Sequence, residues 1–265
     1  MKIISWNVNW IRAVNKKGFK EFVEKENPDI LAIQETKAFE EQFLKEVSNL
    51  EWYKYIWHNW ERAGYAGTAI FYKENLKIKD TKSHFWEIEH FHTDGRITEI
   101  EFFLPNEEKT IVLINWYFPN WWQKVNWPNM LDYKLEFYNH LINYTKKLEK
   151  EWKNIIIAWD FNICHTEIDI ARPEANKNSI WFLPVEREKI WELFESGFVD
   201  VWRYLNPTKT DVYSWWSYRA GARPRNVGWR IDYFAVSKNI LKRVEDMKYL
   251  TDVMGSDHCP LVLKV

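Results

Sequence analysis

Oxygen-bearing side chains close one short apolar run after another in this chain. Asn7 follows Ile3–Trp6, Glu35 follows Ile30–Ile33, and Asp160 and Asn162 follow Ile155–Ala158. Asp232 lies within Arg230-Ile231-Asp232-Tyr233, and Asp257-His258 stand just before Leu261–Val265. Hard oxygen donors at successive strand ends suit Mg²⁺, which takes few carboxylates and keeps water or a substrate phosphate in its shell. The Cys and His spacing of a zinc site is absent. His258 beside Asp257, with Asp232 available, would give an imidazole held by a carboxylate. Any one of these carboxylates alone reads best as a solvated strand end or cap; five such strand ends together point to a site. Cys164 and Cys259 read as small packing residues, and His165 as a structural hydrogen-bonding group.

A second region has a different chemistry. Residues 213–230 hold Tyr213, Trp215, Trp216, Tyr218 and Trp229 with Arg219, Arg223, Arg225 and Arg230, and no acid. The whole chain has a net charge of −1, so no global field draws it to a polyanion; this stretch is a local cationic, aromatic patch of the kind that neutralises phosphates and packs on sugars or bases. By composition alone, an aromatic core strand followed by a solvated arginine loop explains it about as well.

The elements that must position these residues alternate. Runs of strand length recur at Ile3–Trp6, Ile30–Ile33, Ala69–Tyr72, Ile97–Phe103, Thr110–Ile114, Ile155–Ala158, Ile231–Val236 and Leu261–Val265, and stretches of helical period lie at Phe19–Lys25, Glu40–Val47 and Leu131–Lys150. The alternation predicts a mixed α/β architecture. No Pro/Gly/Ser-rich linker divides the 265 residues, so one domain over 1–265 is expected. Ser5-Trp6-Asn7-Val8-Asn9 and Ala158-Trp159-Asp160-Phe161-Asn162 echo one another, each ending an apolar strand in an Asn/Asp-x-Asn triplet. Two cysteines offer no disulfide framework, the N-terminus lacks a signal-peptide pattern, and the apolar runs are too short to span a bilayer. A soluble cytoplasmic protein is the expectation.

With its motifs taken in order, the chain resembles the exonuclease III family of abasic-site (AP) endonucleases, within the endonuclease/exonuclease/phosphatase fold. The resembling motifs include Gln34-Glu35-Thr36-Lys37, Gly64-Tyr65-Ala66-Gly67, Asp94-Gly95-Arg96, Tyr117-Phe118-Pro119-Asn120, Asp160-Phe161-Asn162, Trp229-Arg230-Ile231-Asp232-Tyr233 and Ser256-Asp257-His258-Cys259-Pro260. The resemblance implies a four-layer α/β sandwich, two mixed β-sheets face to face flanked by helices, with the site at one sheet edge. It implies a Mg²⁺-dependent phosphodiesterase, Mn²⁺ being the alternative metal, that cuts duplex DNA 5′ to abasic sites and leaves room for 3′–5′ exonuclease or 3′-phosphodiesterase activity. Glu35 would be the principal metal ligand, with Asn7 and Asp257 nearby. Asp160 would orient or deprotonate the attacking water, Asn162, Tyr117, Asn120 and His258 would hold the scissile phosphate, and Asp232 would fix the His258 ring. Tyr117 and a metal-bound water compete as the group that aids the leaving oxygen. Trp215, Trp229 and Ile231 fall where relatives hold a flipped-out abasic sugar, Arg219 falls on a groove-inserting loop, and Arg12, Lys16, Tyr65 and Asn176 match backbone-contacting positions. Duplex DNA with abasic sites or 3′ blocks would be the partner, and a monomer is expected. The other readings are a phospholipid or inositol-phosphate phosphodiesterase of the same fold, and an inactive DNA-binding module.

The last reading depends on tryptophan. The chain has 18 Trp and 8 Gly, where glycine ordinarily supplies about 7% of residues. Trp10, Trp52, Trp60, Trp86, Trp116, Trp121, Trp122, Trp127, Trp152, Trp159, Trp181 and Trp191 stand where glycine makes better sense, several of them at positions the family fills with glycine. A gene that reads UGA as glycine, translated with UGA as tryptophan, would give this pattern. Indoles at Trp10 and Trp159, beside the polar triplets, are expected to collide with neighbouring strands or with the phosphate.

Overall fold

β-Branched apolar runs bounded by polar residues become strands here because their side chains fill both faces of a pleated layer. The computed structural model describes residues 1–46, 50, 52–61, 64–83, 94–105, 107–119, 129–151 and 153–265. In chain order the strands are β1 (Lys2–Asn7), β2 (Ile30–Gln34), β3 (Tyr53–His58), β4 (Thr68–Lys73), β5 (Ile78–Lys82), β6 (Ile97–Phe103), β7 (Thr110–Tyr117), β8 (Asn154–Asp160), β9 (Phe198–Asp200), β10 (Asp232–Ser237), β11 (Asp246–Tyr249) and β12 (Leu261–Lys264). Among the described residues they form two six-stranded sheets, ordered β11-β12-β1-β2-β4-β3 and β5-β6-β7-β8-β10-β9.

Each sheet contains one parallel pair, and those pairs make the site. β1 runs parallel to β2 with Asn7 opposite Gln34, and β7 runs parallel to β8 with Tyr117 opposite Asp160. Parallel neighbours end at the same sheet edge, so all four strands deliver their C-terminal residues together. β10 is antiparallel to β8 with Asp232 opposite Asp160, which brings the first residue of β10 to that edge as well.

The sheets face each other over a core that includes Ile3, Ala32, Ile70, Leu113, Ile156, Phe234 and Leu263. Helices α1 (Ile11–Asn15), α2 (Phe19–Glu26) and α3 (Glu40–Glu46) contribute to the outer layer of the first sheet. α4 (Met130–Lys150), α5 (Pro173–Asn176), α6 (Pro184–Glu195), α7 (Val201–Leu205) and α8 (Lys238–Leu241) follow in the second half, α4 and α6 covering the second sheet. α4 starts where the Asn129 side chain accepts the Leu131 N–H, and it buries Tyr133, Phe137, Tyr138, Leu141, Ile142 and Leu148 at helical spacing. The four-layer sandwich is therefore present. No helix among the described residues is long and apolar enough to cross a membrane.

The eight expected strands are all found. β3, β5, β9 and β11 were not expected, because they are short, polar or half-exposed and carry no continuous apolar signal. The predicted end of β7 at Ile114 is too early. Asn115 continues the strand because its amide, polar in sequence, is consumed between the sheets: it donates to Ile33 O, Ala69 O and Thr98 Oγ1 and accepts from Gln34 Nε2 at 2.7 Å.

The suspect tryptophans divide by backbone. Trp10, Trp52 and Trp181 hold φ of 96°, 82° and 74°, and no other described tryptophan has positive φ. That region costs an L side chain roughly 1–2 kcal/mol and suits glycine. Trp116 and Trp159 lie in regular strands, and the collision expected at Trp159 appears as crowding against Phe161, whose ring centroid is nearer than the roughly 4.5–7 Å at which angled aromatic rings pack, with the indole N–H left without an acceptor. Strand alternation turns its indole away from Asp160 into the outer layer, 5.3 Å from the Phe118 ring and 3.7 Å from that of Phe161. Trp60 packs against Tyr65, and Trp191 is half-exposed on α6. Trp86, Trp121, Trp122, Trp127 and Trp152 lie outside the described residues.

Opposite stability effects follow. Trp52 is 76% exposed, so Trp52→Gly loses little burial and should stabilise by about 1 kcal/mol. Trp159 is fully buried, but its crowding against Phe161 and its unpaired indole N–H offset the burial that would be lost, so Trp159→Gly should cost well under the roughly 3–5 kcal/mol of an ordinary buried tryptophan truncation. Urea unfolding of the two variants checks both signs. In the gene, the twelve suspect codons should all be UGA and those of Trp6, Trp202, Trp215, Trp216 and Trp229 should be UGG; mixed codons would sink the recoding explanation.

Candidate active site

Asn7 joins the two sheets at their common edge. Its Nδ2 donates at 2.9 Å to Glu35 Oε1, which follows β2, and at 2.9 Å to Asp160 Oδ2 at the end of β8. The amide orientation is set from behind, because Asn7 Oδ1 accepts the Asn9 N–H at 2.9 Å. The two echoing triplets thus meet in space. Glu35 and Asn162 each need a left-handed backbone, with φ of 53° at both, to turn the chain sharply as it leaves the strand. In Asn162 that turn is held by its N–H donating to Asp160 Oδ1 at 2.8 Å.

Lys37 also folds back, ion-paired with Glu35 and donating to Asn9 Oδ1 at 2.6 Å. Burial alone would push the Glu35 carboxyl up. The Lys37 charge, hydrogen bonds from Asn7 and Lys37 and the positive charge at His258 outweigh it and bring the pKa down to about 2. Glu35 is therefore an ionised, nearly buried carboxylate, 7% exposed.

His258 completes the cluster from the first sheet's side. Its Nδ1 lies 2.8 Å from Asp232 Oδ2, and its Nε2 lies 3.9 Å from Asp160 Oδ2. Burial works against an imidazolium, but Asp232 chiefly, then Asp160 and Asp257, raise its pKa well above the ordinary histidine range. Asp160 is raised too: burial leads, and Asp232 and Glu35 repel its negative charge, while His258 opposes them. A carboxylate of raised proton affinity is a better base. One ligand atom each from Glu35, Asp160 and His258 lies within 4.8 Å of the others, a donor set able to hold a cation, with oxygen in the majority as Mg²⁺ or Mn²⁺ prefers.

Beside this cluster opens a cavity of about 630 Å³ lined by Asn178, Ser179, Trp181, Trp215, Ser217, Arg219 and Trp229, with Ile231 fully buried in the same apolar cluster. Trp215 and Trp229 exchange backbone hydrogen bonds at 2.9 Å. Trp215 also spans cavity and cluster: its Nε1 donates to Asp257 Oδ2 at 3.0 Å, while Asp257 Oδ1 accepts from Asn9 at 2.8 Å.

Two sheets of this order, each carrying a parallel pair, with carboxylates, amides and a carboxylate-held imidazole at the shared edge, match a known design. Residues 4–258 match the sequence profile of the Endonuclease/Exonuclease/phosphatase family. The chain belongs to this family. It is similar to the exodeoxyribonuclease of Bacillus subtilis, 38% identical over 99% of this chain and 98% of that protein. The DNA-(apurinic or apyrimidinic site) endonuclease of Dictyostelium discoideum is 37% identical over 98% of this chain and 69% of that protein. In structure it resembles the AP endonuclease of Leishmania major, with a TM-score of 0.87 and 29% identity, over 99% of this chain and 86% of that one.

Against that family frame, the structure brings Asn7, Glu35, Asp160, Asn162, Tyr117, Asp232 and His258 to one edge. Tyr117 is fully buried, its phenol kept protonated by burial and by the negative charge of Glu35. Asn7 faces Glu35 with its N–H rather than its oxygen, and the Asp257 carboxylate is engaged by Asn9 and Trp215. Asn162 Nδ2 donates to Phe118 O at 3.1 Å. Tyr65 borders the cluster, its hydroxyl accepting from Arg96 Nη2 at 2.9 Å. Arg12 pairs with Glu46 at 2.6 Å and Lys16 is exposed at the end of α1. Asn176 donates to Ala171 O and Arg172 O, so its amide orders the loop beside the cavity. Asn120 lies outside the described residues.

The arginine patch is mostly structural. Arg230 is fully buried between Asp169 and Asp200, at 2.7 Å from each. Arg223 donates to the carbonyls of Ser256, Thr251 and Val253, and Arg225 to those of Gly221 and Ala220. Arg219 alone of the four is both exposed and on the cavity wall.

Three supporting cations carried no assigned role in the sequence. Lys37 and Arg96 sat inside quoted motifs, and that position was the available signal. Lys134 gave none, being one lysine in an amphipathic helix. It is buried in α4, pairs with Glu186 at 2.5 Å and donates to Asn162 O at 2.8 Å. Glu186 in turn accepts the Leu183 N–H at the start of α6. Lys134→Met would strand the Glu186 charge and should cost about 3–5 kcal/mol in urea unfolding, most of it recovered in Lys134→Met/Glu186→Leu. Equal destabilisation of single and double variants would contradict the pairing.

Proposed function

We propose that this protein is a metal-dependent DNA-repair phosphodiesterase that hydrolyses the backbone of duplex DNA 5′ to abasic sites, with 3′ blocking groups as further substrates. The observation that carries this reading is the double engagement of Trp215, whose ring walls the cavity while its indole N–H holds Asp257 next to His258. A sugar in the cavity would thereby place its phosphate at the carboxylate cluster. Relatives named for abasic-site endonuclease and exodeoxyribonuclease activity support the substrate class.

The roles follow from position. Asp160 accepts a hydrogen bond from Asn7 and faces His258 across 3.9 Å; it is the group suited to orient a water and take its proton. His258, held by Asp232, presents Nε2 and positive charge to a non-bridging phosphate oxygen. Tyr117, kept protonated, is a donor at the same edge. Glu35 would hold Mg²⁺, with Mn²⁺ as the alternative, and Asn7 and Lys37 keep that carboxylate ionised and aimed. Bound there, the ion would neutralise charge developing on the phosphate. A phospholipid or inositol-phosphate headgroup fits less well, since the cavity wall is aromatic and Arg219 is its single arginine.

A duplex with one baseless site should be incised with Mg²⁺ and not with EDTA. Asp160→Asn and Asp232→Asn should each lower kcat about 10²–10⁴-fold, read in single-turnover gels. Headgroup turnover without DNA incision would overturn the proposal.

A further inference from the structure

The turn after β8 carries two groups of the proposed reaction, Asp160 at its start and Asn162 within it. Asn162 sits at φ 53°, a left-handed conformation that a residue other than glycine keeps only when its surroundings hold it there. Phe161 and Asn162 lie past the last residue of β8, so their amides and carbonyls need partners outside the regular ladder. The donors are satisfied at the sheet edge: the Phe161 N–H bonds Ile231 O at 2.9 Å, and the Asn162 N–H bonds Asp160 Oδ1 at 2.8 Å. The two carbonyls are taken by a helix of the outer layer.

Both donors to them stand on α4, four residues apart and therefore on one face of the helix. Tyr138 Oη donates to Phe161 O at 2.5 Å, and Lys134 Nζ donates to Asn162 O at 2.8 Å. Both side chains are buried. Glu186 balances the Lys134 charge at 2.5 Å, so the ammonium needs nothing from the turn to be neutralised, yet it reaches the turn. Burial and the negative charges of Glu186 and Asp160 keep the Tyr138 phenol protonated, so it remains a donor. Its ring stacks on Phe118 at 4.2 Å and 28°, and on Phe161 at 5.6 Å and 4°, which fixes where the hydroxyl points. Phe118 O in turn accepts Asn162 Nδ2 at 3.1 Å. The turn is thus bonded on its donor and acceptor sides alike.

We infer that Lys134 and Tyr138 are positioning residues for the hydrolysis: from the outer layer they brace the turn so that Asp160 and Asn162 meet the scissile phosphate together. The inference rests on the proposed function of the same edge. Neither is a catalytic residue, since each acts through a backbone carbonyl. A preorganised turn matters because a displacement of about 1 Å can cost about 10²-fold in rate.

Tyr138→Phe removes one oxygen and keeps the stacked ring. Lys134→Met/Glu186→Leu removes the other donor without stranding a charge. Leu141→Ala, at a buried apolar position of the same helix, destabilises α4 without removing a hydrogen bond from the turn. The first two should lower the single-turnover rate on a tetrahydrofuran-containing duplex with Mg²⁺ by about 10–10²-fold. Kd for that duplex with Ca²⁺ should stay within about twofold of the parent protein, since a positioning loss falls on the chemical step. Lys134→Arg, which keeps a donor for Asn162 O, should recover most of the rate, and Leu141→Ala should keep it despite lower stability in urea. A second readout needs no substrate. Amide hydrogen exchange at 161 and 162 should accelerate more in Tyr138→Phe and in the double variant than in Leu141→Ala. Rates that are unchanged in the two folded variants, or that fall in step with urea stability in Leu141→Ala as well, overturn the brace. Absence of abasic incision by the parent protein, with the exchange pattern as expected, overturns the functional reading and leaves the brace on the turn standing.

Discussion

The fold depends on polar side chains buried between two sheets that must face each other without slipping. Asn115 and Gln34 bond across the apolar interface, and Asn7 repeats the arrangement at its rim by bonding both Glu35 and Asp160. An apolar interface tolerates sliding, because dispersion and burial change little with small shifts. Buried amides do not: a displaced Asn115 would leave two donors and an acceptor unpaired at low dielectric, each costing roughly 1–3 kcal/mol. The amides thus convert loose sheet packing into one register, and the site inherits its geometry from that register.

Charge in the site is organised on the same principle. Three acids share a nearly dry edge, and four cationic side chains stand against them at different depths. Lys37 keeps Glu35 ionised, His258 lies between Asp160 and Asp232, Arg96 backs Tyr65 and Tyr117, and Lys134 holds the turn after Asp160 from the helical layer. Burial strengthens each of these interactions and raises the cost of leaving any one unpaired. The cavity next door is built differently, from ring surfaces, with Trp215 as the link between the two regimes.

Tryptophan plays unlike roles in this molecule. Trp215 and Trp229 wall the cavity, Trp159 fills the outer core, and Trp10, Trp52 and Trp181 sit on backbone made for glycine. Composition alone could not separate these cases, since each contributes the same letter. Backbone dihedrals and strand alternation separate them, because one side chain is judged by the torsion it must accept and another by the volume it fills.

Much of the site was legible in the sequence. Acids and amides at the ends of apolar runs named Asn7, Glu35, Asp160, Asn162, Asp232 and His258, because strand ends are where a sheet can expose polar groups while burying its body. Eight of the strands announced themselves through continuous apolar runs. The short or polar strands β3, β5, β9 and β11, the amphipathically weak α6 and the full length of β7 did not, since their stability comes from neighbours. Only the tertiary structure decided which acids touch, that Asn7 turns its N–H toward Glu35, that Arg223 and Arg230 are spent within the protein, and that Lys134 reaches the turn after Asp160. These facts depend on strand register and on groups 28 to 153 residues apart in the chain, distances over which local sequence pattern carries no information. Residue types and the places where strands end are local properties, so the sequence determined them; partnership is a property of packing, and packing decided it.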